Sequence, residues 1–225
     1  MRRLHTARFF EVNVWQEHLA LLFQSNSLHH LILSRCSLPG SVRLPQSHIR
    51  DLTLTVEDNC DHMRPLLGHC SANLEALDFA LDLGQAPFFI MTLPLFRKLR
   101  KLQYTIASRS VRYFVRLASL APKLEHLEVW VQRYLVHELP ALPASLNHLR
   151  TNQWLIEDGF FGTRPFVYLR YLHITNYIHV VGNDHRSSVI PIIQCIFPNL
   201  TSLDVEIRHT PLATLSCCLH ATSQT

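Results

Sequence analysis

A chain of 225 residues has room for one large domain or two small ones. Hydrophobic residues make up 48% and charged residues 17%, enough apolar side chain for a packed core, which excludes a disordered polymer. The formal net charge of +4, carried mostly by arginine, falls well short of a dedicated nucleic-acid binder.

In chain order, Leu4-Ala7-Phe9 forms a short alternating stretch that reads as a strand. Trp15, Leu19, Leu22 and Phe23 follow at helical spacing and predict a first helix. Leu28–Leu38 then runs Leu-His-His-Leu-Ile-Leu-Ser-Arg-Cys-Ser-Leu. Leu28, Leu31, Leu33, Cys36 and Leu38 occupy every fixed position of the leucine-rich-repeat pattern L-x-x-L-x-L-x-x-N/C-x-L. The same 1-4-6 spacing recurs in Ile49-Leu52-Leu54, Leu74-Leu77-Phe79, Leu99-Leu102-Tyr104 and Leu124-Leu127-Val129. It continues in Leu146-Leu149-Thr151, Leu169-Leu172-Ile174 and Leu200-Leu203-Val205. Successive units begin 24, 21, 25, 25, 25, 22, 23 and 31 residues apart, mostly within the roughly 20–29-residue period of this repeat class.

Between the strands, three further apolar stripes predict helices: Met63-Leu66-Leu67-Cys70, Val111-Phe114-Val115-Ala118 and Val189-Ile192-Ile193-Ile196. Pro191 requires the last of these to begin close to it. Pro122 and Pro198 each stand two residues before a repeat leucine, where they end one element and start an extended one. Pro140 and Pro143 make a helix-poor connection, and Asp158–Pro165 and His179–Ser188 read as loops.

The predicted fold is α/β: a leucine-rich-repeat solenoid of about nine irregular repeats, with a curved parallel sheet on the concave face and helices on the convex face. The repeats form one domain over residues 1–208, because each packs only on its neighbours, and residues 209–225 form a weakly structured tail. No polar cap precedes the first unit, so the chain is expected to begin inside an array.

Side chains alternate along a strand. The fourth and sixth positions of each unit therefore point into the core, and the third, fifth and seventh point out onto a concave face roughly 40 Å long. The early units are small and polar there. From residue 126 to 173 the outward positions become bulky: His126, Glu128, Trp130, His148, Arg150, Asn152, Tyr171 and His173. Trp, Tyr and Arg dominate binding hot spots, so these eight form the predicted protein-binding patch, centred on Trp130 and Arg150 and suited to an acidic or phosphorylated group. The three histidines would make that grip pH-sensitive.

Cys60, His62, His69 and Cys70 match no zinc spacing, and Cys70 falls on an apolar stripe, so no metal and no cofactor are predicted. Nucleophile-elbow, P-loop and dinucleotide signatures are absent, which argues against an enzyme. Arg97, Lys98, Arg100 and Lys101 read as solvated flanks of Leu99, and no nucleic-acid partner is predicted. The longest apolar runs are too short to span a bilayer, so no membrane partner is predicted. Without a secretory signal or a C-x-x-C pair, the six cysteines suit a reducing cytoplasmic or nuclear setting, with the Cys36 thiol free in the turn after its strand. The Asn199-Leu200-Thr201 sequon is then idle.

Units such as Ala-Pro-Lys-Leu-Glu-His-Leu-Glu-Val and Phe-Pro-Asn-Leu-Thr-Ser-Leu-Asp-Val resemble the leucine-rich-repeat region of F-box proteins, especially divergent fungal ones, over residues 4–207. The resemblance implies target recognition for a cullin-RING ubiquitin ligase. No F-box is found in this chain, so the ligase adaptor is an expected partner only if that module lies upstream. The alternatives are a repeat scaffold or small-GTPase regulator with no ubiquitin link, and, from a different class, a Cys/His enzyme.

Overall fold

The computed structural model describes residues 4–39, 44, 47–56, 63–81, 92–106, 116–131, 142–152, 165–177 and 189–207. Its centre is a nine-stranded, wholly parallel sheet in strict sequence order. The strands are β1 (Thr6–Phe10), β2 (His30–Ser34), β3 (Asp51–Val56), β4 (Ala76–Leu81) and β5 (Lys101–Ile106). They continue with β6 (His126–Val131), β7 (His148–Asn152), β8 (Tyr171–Tyr177) and β9 (Ser202–Ile207). Among the described residues, the crossovers hold the helices α1 (Gln16–Gln24), α2 (Met63–Cys70) and α3 (Val189–Ile196), making the fold α/β. All nine strands fall where the 1-4-6 spacing puts them.

The register is constant at the fourth position of every unit. Ala7, Leu31, Leu52, Leu77, Leu102, Leu127, Leu149, Leu172 and Leu203 are successive partners across all eight strand pairs. A second contact holds each pair in step. The carbonyl just before each of the first eight strands accepts two N–H groups from the start of the next, at 2.7 to 3.1 Å. His5, His29, Arg50, Glu75, Arg100, Glu125, Asn147 and Arg170 all do this.

The fourth and sixth positions line the core with the helices' apolar stripes. Leu33, Leu54, Phe79, Tyr104 and Val129 are buried beside Leu19, Phe23, Met63, Leu66, Leu67 and Ile193. The first position closes it: Leu28, Ile49, Leu74, Leu99, Leu124, Leu146 and Leu169 are buried, each after a tight turn in most units, such as the Leu124 N–H to Ala121 carbonyl bond of 3.1 Å. Pro122 and Pro198 sit in these turns, and Pro191 lies in the first turn of α3, where a missing N–H costs nothing. The residue before the repeat leucine ties neighbouring units together: Asn73 Nδ2 donates to the Ser47 carbonyl at 2.7 Å and Asn199 Nδ2 to the Val167 carbonyl at 2.8 Å.

Several expectations need adjusting. Trp15 is 61% exposed rather than part of the α1 stripe, because it stands at the helix cap in extended conformation, its N–H bonded to His18 Nδ1. Residues 116–119 are helical and Ala118 is buried, while residues 111–115 of that predicted helix lie outside the described residues. So do most of residues 158–165 and all of 179–188 and 209–225, with Cys60 and His62. Cys36 follows β2 with a free, buried thiol that donates to the Ser34 carbonyl. Just before it Arg35 takes a left-handed φ of 54°, and its counterpart Glu11 one of 52°; the two side chains form an ion pair at 3.3 Å. Burial raises the Cys70 thiol to about 12, against a lowering bond from Ser47.

Leu127 is 2% exposed between the neighbouring leucines of its row. Leu127→Asp places an unpaired carboxylate there and is expected to cost about 3 kcal/mol or more, read as a large fall in the thermal midpoint. An unchanged melt would show that this row is not the core.

Candidate functional site

One face of the sheet is covered by the helices; the other carries the third, fifth and seventh positions. The constant register aligns these into rows. The third-position row runs Lys101, His126, His148, Tyr171, Ser202, and the fifth-position row runs Asp78, Gln103, Glu128, Arg150, His173, Asp204. The bulky residues singled out from the sequence therefore meet on β6, β7 and β8.

Glu128, Trp130 and Arg150 interlock. Trp130 Nε1 donates to Glu128 Oε1 at 3.0 Å, and the same oxygen lies 3.4 Å from Arg150 Nη1. The Arg150 guanidinium also stands over the Trp130 ring, 5.3 Å from its centroid. Glu128 is the most enclosed of the charged pair, with 17% of its side chain exposed against 43% for Arg150. The arginine is thus neutralised in place, its plane fixed by a carboxylate at the edge and an indole below.

Beside this cluster the third-position row forms a stack. The His126 and His148 rings lie 4.2 Å apart, and His148 and Tyr171 lie 4.1 Å apart at 13°. His148 Nδ1 bonds the Asn147 side-chain oxygen. Burial within the stack, then the neighbouring His126, holds the His148 imidazole below the ordinary value, with Glu125 opposing. Further along, His173 Nδ1 pairs with Asp204 Oδ2 at 3.2 Å and its Nε2 lies 3.9 Å from Glu206 Oε2. At the other end, burial and then Glu128 raise the Asp78 carboxyl, against Lys101.

Between these groups lies an open depression of about 310 Å³, running from Lys101 and His126 to Ser202 and Asp204. Seven of the eight predicted residues stand on this face. The eighth, Asn152, does not: it is 5% exposed, as its partner Thr175 is 2%. The in–out alternation of β7 ends at Thr151 and Asn152, which are buried one after the other, and the β6–β7 pairing ends at Val129 and Thr151, one residue short of Asn152. Lys101, Ser202 and Asp204 belong to the depression but were not singled out, being ordinary polar residues whose row membership is their only signal. Lys98 and Arg100 of the basic cluster are engaged, with Asn73 at 2.8 Å and Glu125 at 3.2 Å. Among the described residues, no three His, Cys, Asp or Glu side chains are grouped to hold a metal, and no helix is long and apolar enough to cross a membrane. The site brings together planar rings, a guanidinium held between a carboxylate and an indole, and the hydrogen-bonded carboxylates of Glu128 and Asp204.

No protein-family model matches the chain, and no curated protein matches it significantly.

A double-mutant cycle between Glu128→Gln and Arg150→Ala is expected to give a coupling of about 0.5–1 kcal/mol, the range for a partly exposed pair with a cation–π contact. Strictly additive effects would show that the cluster does not act as a unit. For His148, the folded chain disfavours the charged ring, so its contribution to stability is present above about pH 6.5 and declines as pH falls through the lower folded value. Ring-proton NMR should find His148 titrating below an ordinary histidine, and His148→Gln should flatten this part of the acid-side stability loss. A titration at or above the ordinary value would contradict the stack.

Proposed function

We propose that the chain is a leucine-rich-repeat solenoid that binds a protein target on the open, concave face, and that it serves target recognition for a cullin-RING ubiquitin ligase of the F-box type. The single observation that carries the binding role is the bulky, interlocked patch of Glu128, Trp130 and Arg150 beside the His126–His148–Tyr171 stack. These side chains point away from the packed core, so the fold does not need their size. A preformed aromatic and arginine surface loses little conformational freedom on binding, which is the property of an interaction hot spot.

The repeat class is supported by the recurring 1-4-6 spacing, by one strand per unit, and by crossovers of roughly constant length. The ligase role rests on the resemblance of units such as Phe-Pro-Asn-Leu-Thr-Ser-Leu-Asp-Val to F-box protein repeats, and it requires an adaptor-binding module joined to this domain. The expectation of an acidic or phosphorylated target is weakened by the Arg150–Glu128 pair, which leaves the arginine's charge compensated.

The test is affinity capture from the native cell, comparing wild type with Trp130→Ala/Arg150→Ala after both are shown to fold. The double variant is expected to lose the bound target, while Arg64→Glu on the exposed side of α2 keeps it. The reverse pattern would move the binding face to the helices. Recovery of a ligase adaptor with the full-length gene product, and a longer target lifetime on its depletion, check the ubiquitin link.

A further inference from the structure

We propose that the end of the ring stack holds an arginine side chain of the bound protein, its guanidinium lying on the outer face of Tyr171, above Ser202, and pairing with Asp204. This rests on the reading of the open face as a protein-binding surface and names what that surface selects.

The stack is the starting point. His126, His148 and Tyr171 are register partners, and His148 and Tyr171 lie 4.1 Å apart with planes only 13° from parallel. Rings spaced in this way along the direction of strand pairing stand upright on the sheet, face to face. One face of Tyr171 is therefore covered by His148, and the other is turned toward β9. Its partner on β9 is Ser202, which is exposed and carries only a hydroxymethyl group. The stack stops there for want of a fourth ring, and Tyr171 remains 46% exposed. The open depression reaches past Tyr171 to Ser202 and Asp204, so the uncovered face borders accessible space.

Charge decides what fits that place. On the nine strands, the outward positions carry five carboxylates (Asp51, Asp78, Glu128, Asp204 and Glu206) against three fixed cations (Arg8, Lys101 and Arg150). The chain as a whole has a net charge of +4, so this face opposes the sign of the molecule. Of its cations, Arg150 is held by Glu128 and Trp130, and Lys101 lies at the opposite end of the row. An incoming anion at Ser202 would meet Asp204 on the same strand, with Glu206 beyond it. An incoming cation would meet both with favourable sign.

Asp204 is 60% exposed at its side chain, and His173 holds its Oδ2. A carboxylate has about four acceptor sites, so that bond leaves capacity for a forked donor. Guanidinium is the cation whose shape suits the whole place: it is planar, stacks on an aromatic face, and presents parallel N–H groups to a carboxylate, which an ammonium cannot do. Within the fold, Arg150 over Trp130 and beside Glu128 already shows the same three-part arrangement.

The experiment titrates the folded chain with a blocked arginine amide, and separately with blocked lysine and phosphoserine amides, following the Tyr171 ring and the Ser202 and Asp204 amides by NMR. Arginine is expected to give saturable shifts at millimolar concentration, with lysine about fivefold weaker or more. Asp204→Asn should weaken arginine binding by about fivefold, and Ser202→Trp, a change at an exposed position that supplies the missing ring, should abolish it while the remaining spectrum stays folded. The proposal falls if arginine gives no saturable shift, if lysine matches it, if phosphoserine moves these signals instead, or if Ser202→Trp leaves binding intact. A target captured by wild type and by Ser202→Trp, but lost by Trp130→Ala/Arg150→Ala, would overturn the arginine slot while sustaining the protein-binding reading. Loss of neither would overturn both.

Discussion

Everything on the open face depends on the register of the parallel strands. Each strand could in principle slip by one residue against its neighbour, and each slip would turn its leucines outward and its polar residues inward. Two features oppose this. The leucines of the fourth position must meet one another and the helices beneath, and the carbonyl before each strand takes two N–H groups from the next. The second feature is purely backbone, so it tolerates His, Arg, Glu and Asn alike at that position. It lets the solvent-side residues vary in kind without moving the frame that carries them.

With the frame held, side chains in a row are brought to about the strand spacing, near 4.8 Å, whether or not they attract one another. This explains both the stack and its electrostatic consequence. His126 and His148 are placed ring against ring, and the enclosed imidazole of His148 resists a proton. Glu128 and Arg150 are placed side by side and neutralise each other. Asp78 lacks so close a cation and its carboxyl is held up by burial and by Glu128. The face is therefore mostly self-satisfied, with Tyr171, Ser202 and Asp204 forming the part where ring surface and charge stay accessible.

The spacing of apolar residues was strong enough to be read directly because it repeats. A single L-x-x-L-x-L is weak, but nine in phase place nine strands, and the observed pairs follow that phase. Seven of the eight patch residues followed from the same alternation. Asn152 did not, since the point at which β7 stops pairing with β6 depends on how those two strands meet and leaves no mark in the composition of either. Trp15 was misplaced for a related reason: a residue at helical spacing can belong to the cap, and the extended backbone there is settled by the chain's approach to α1.

The sequence by itself determined the α/β class, the order and phase of the strands, and which repeat leucines line the core, because burial of leucine is a one-body preference that periodicity exposes. Only the tertiary structure decided that Arg150 is compensated by Glu128, that His126, His148 and Tyr171 stack, and that Ser202 leaves the stack open. Those are relations between residues 22 to 31 positions apart, fixed by the strand register and by rotamers chosen against neighbouring strands. No local pattern encodes them, since the same residue types in another register would meet different partners.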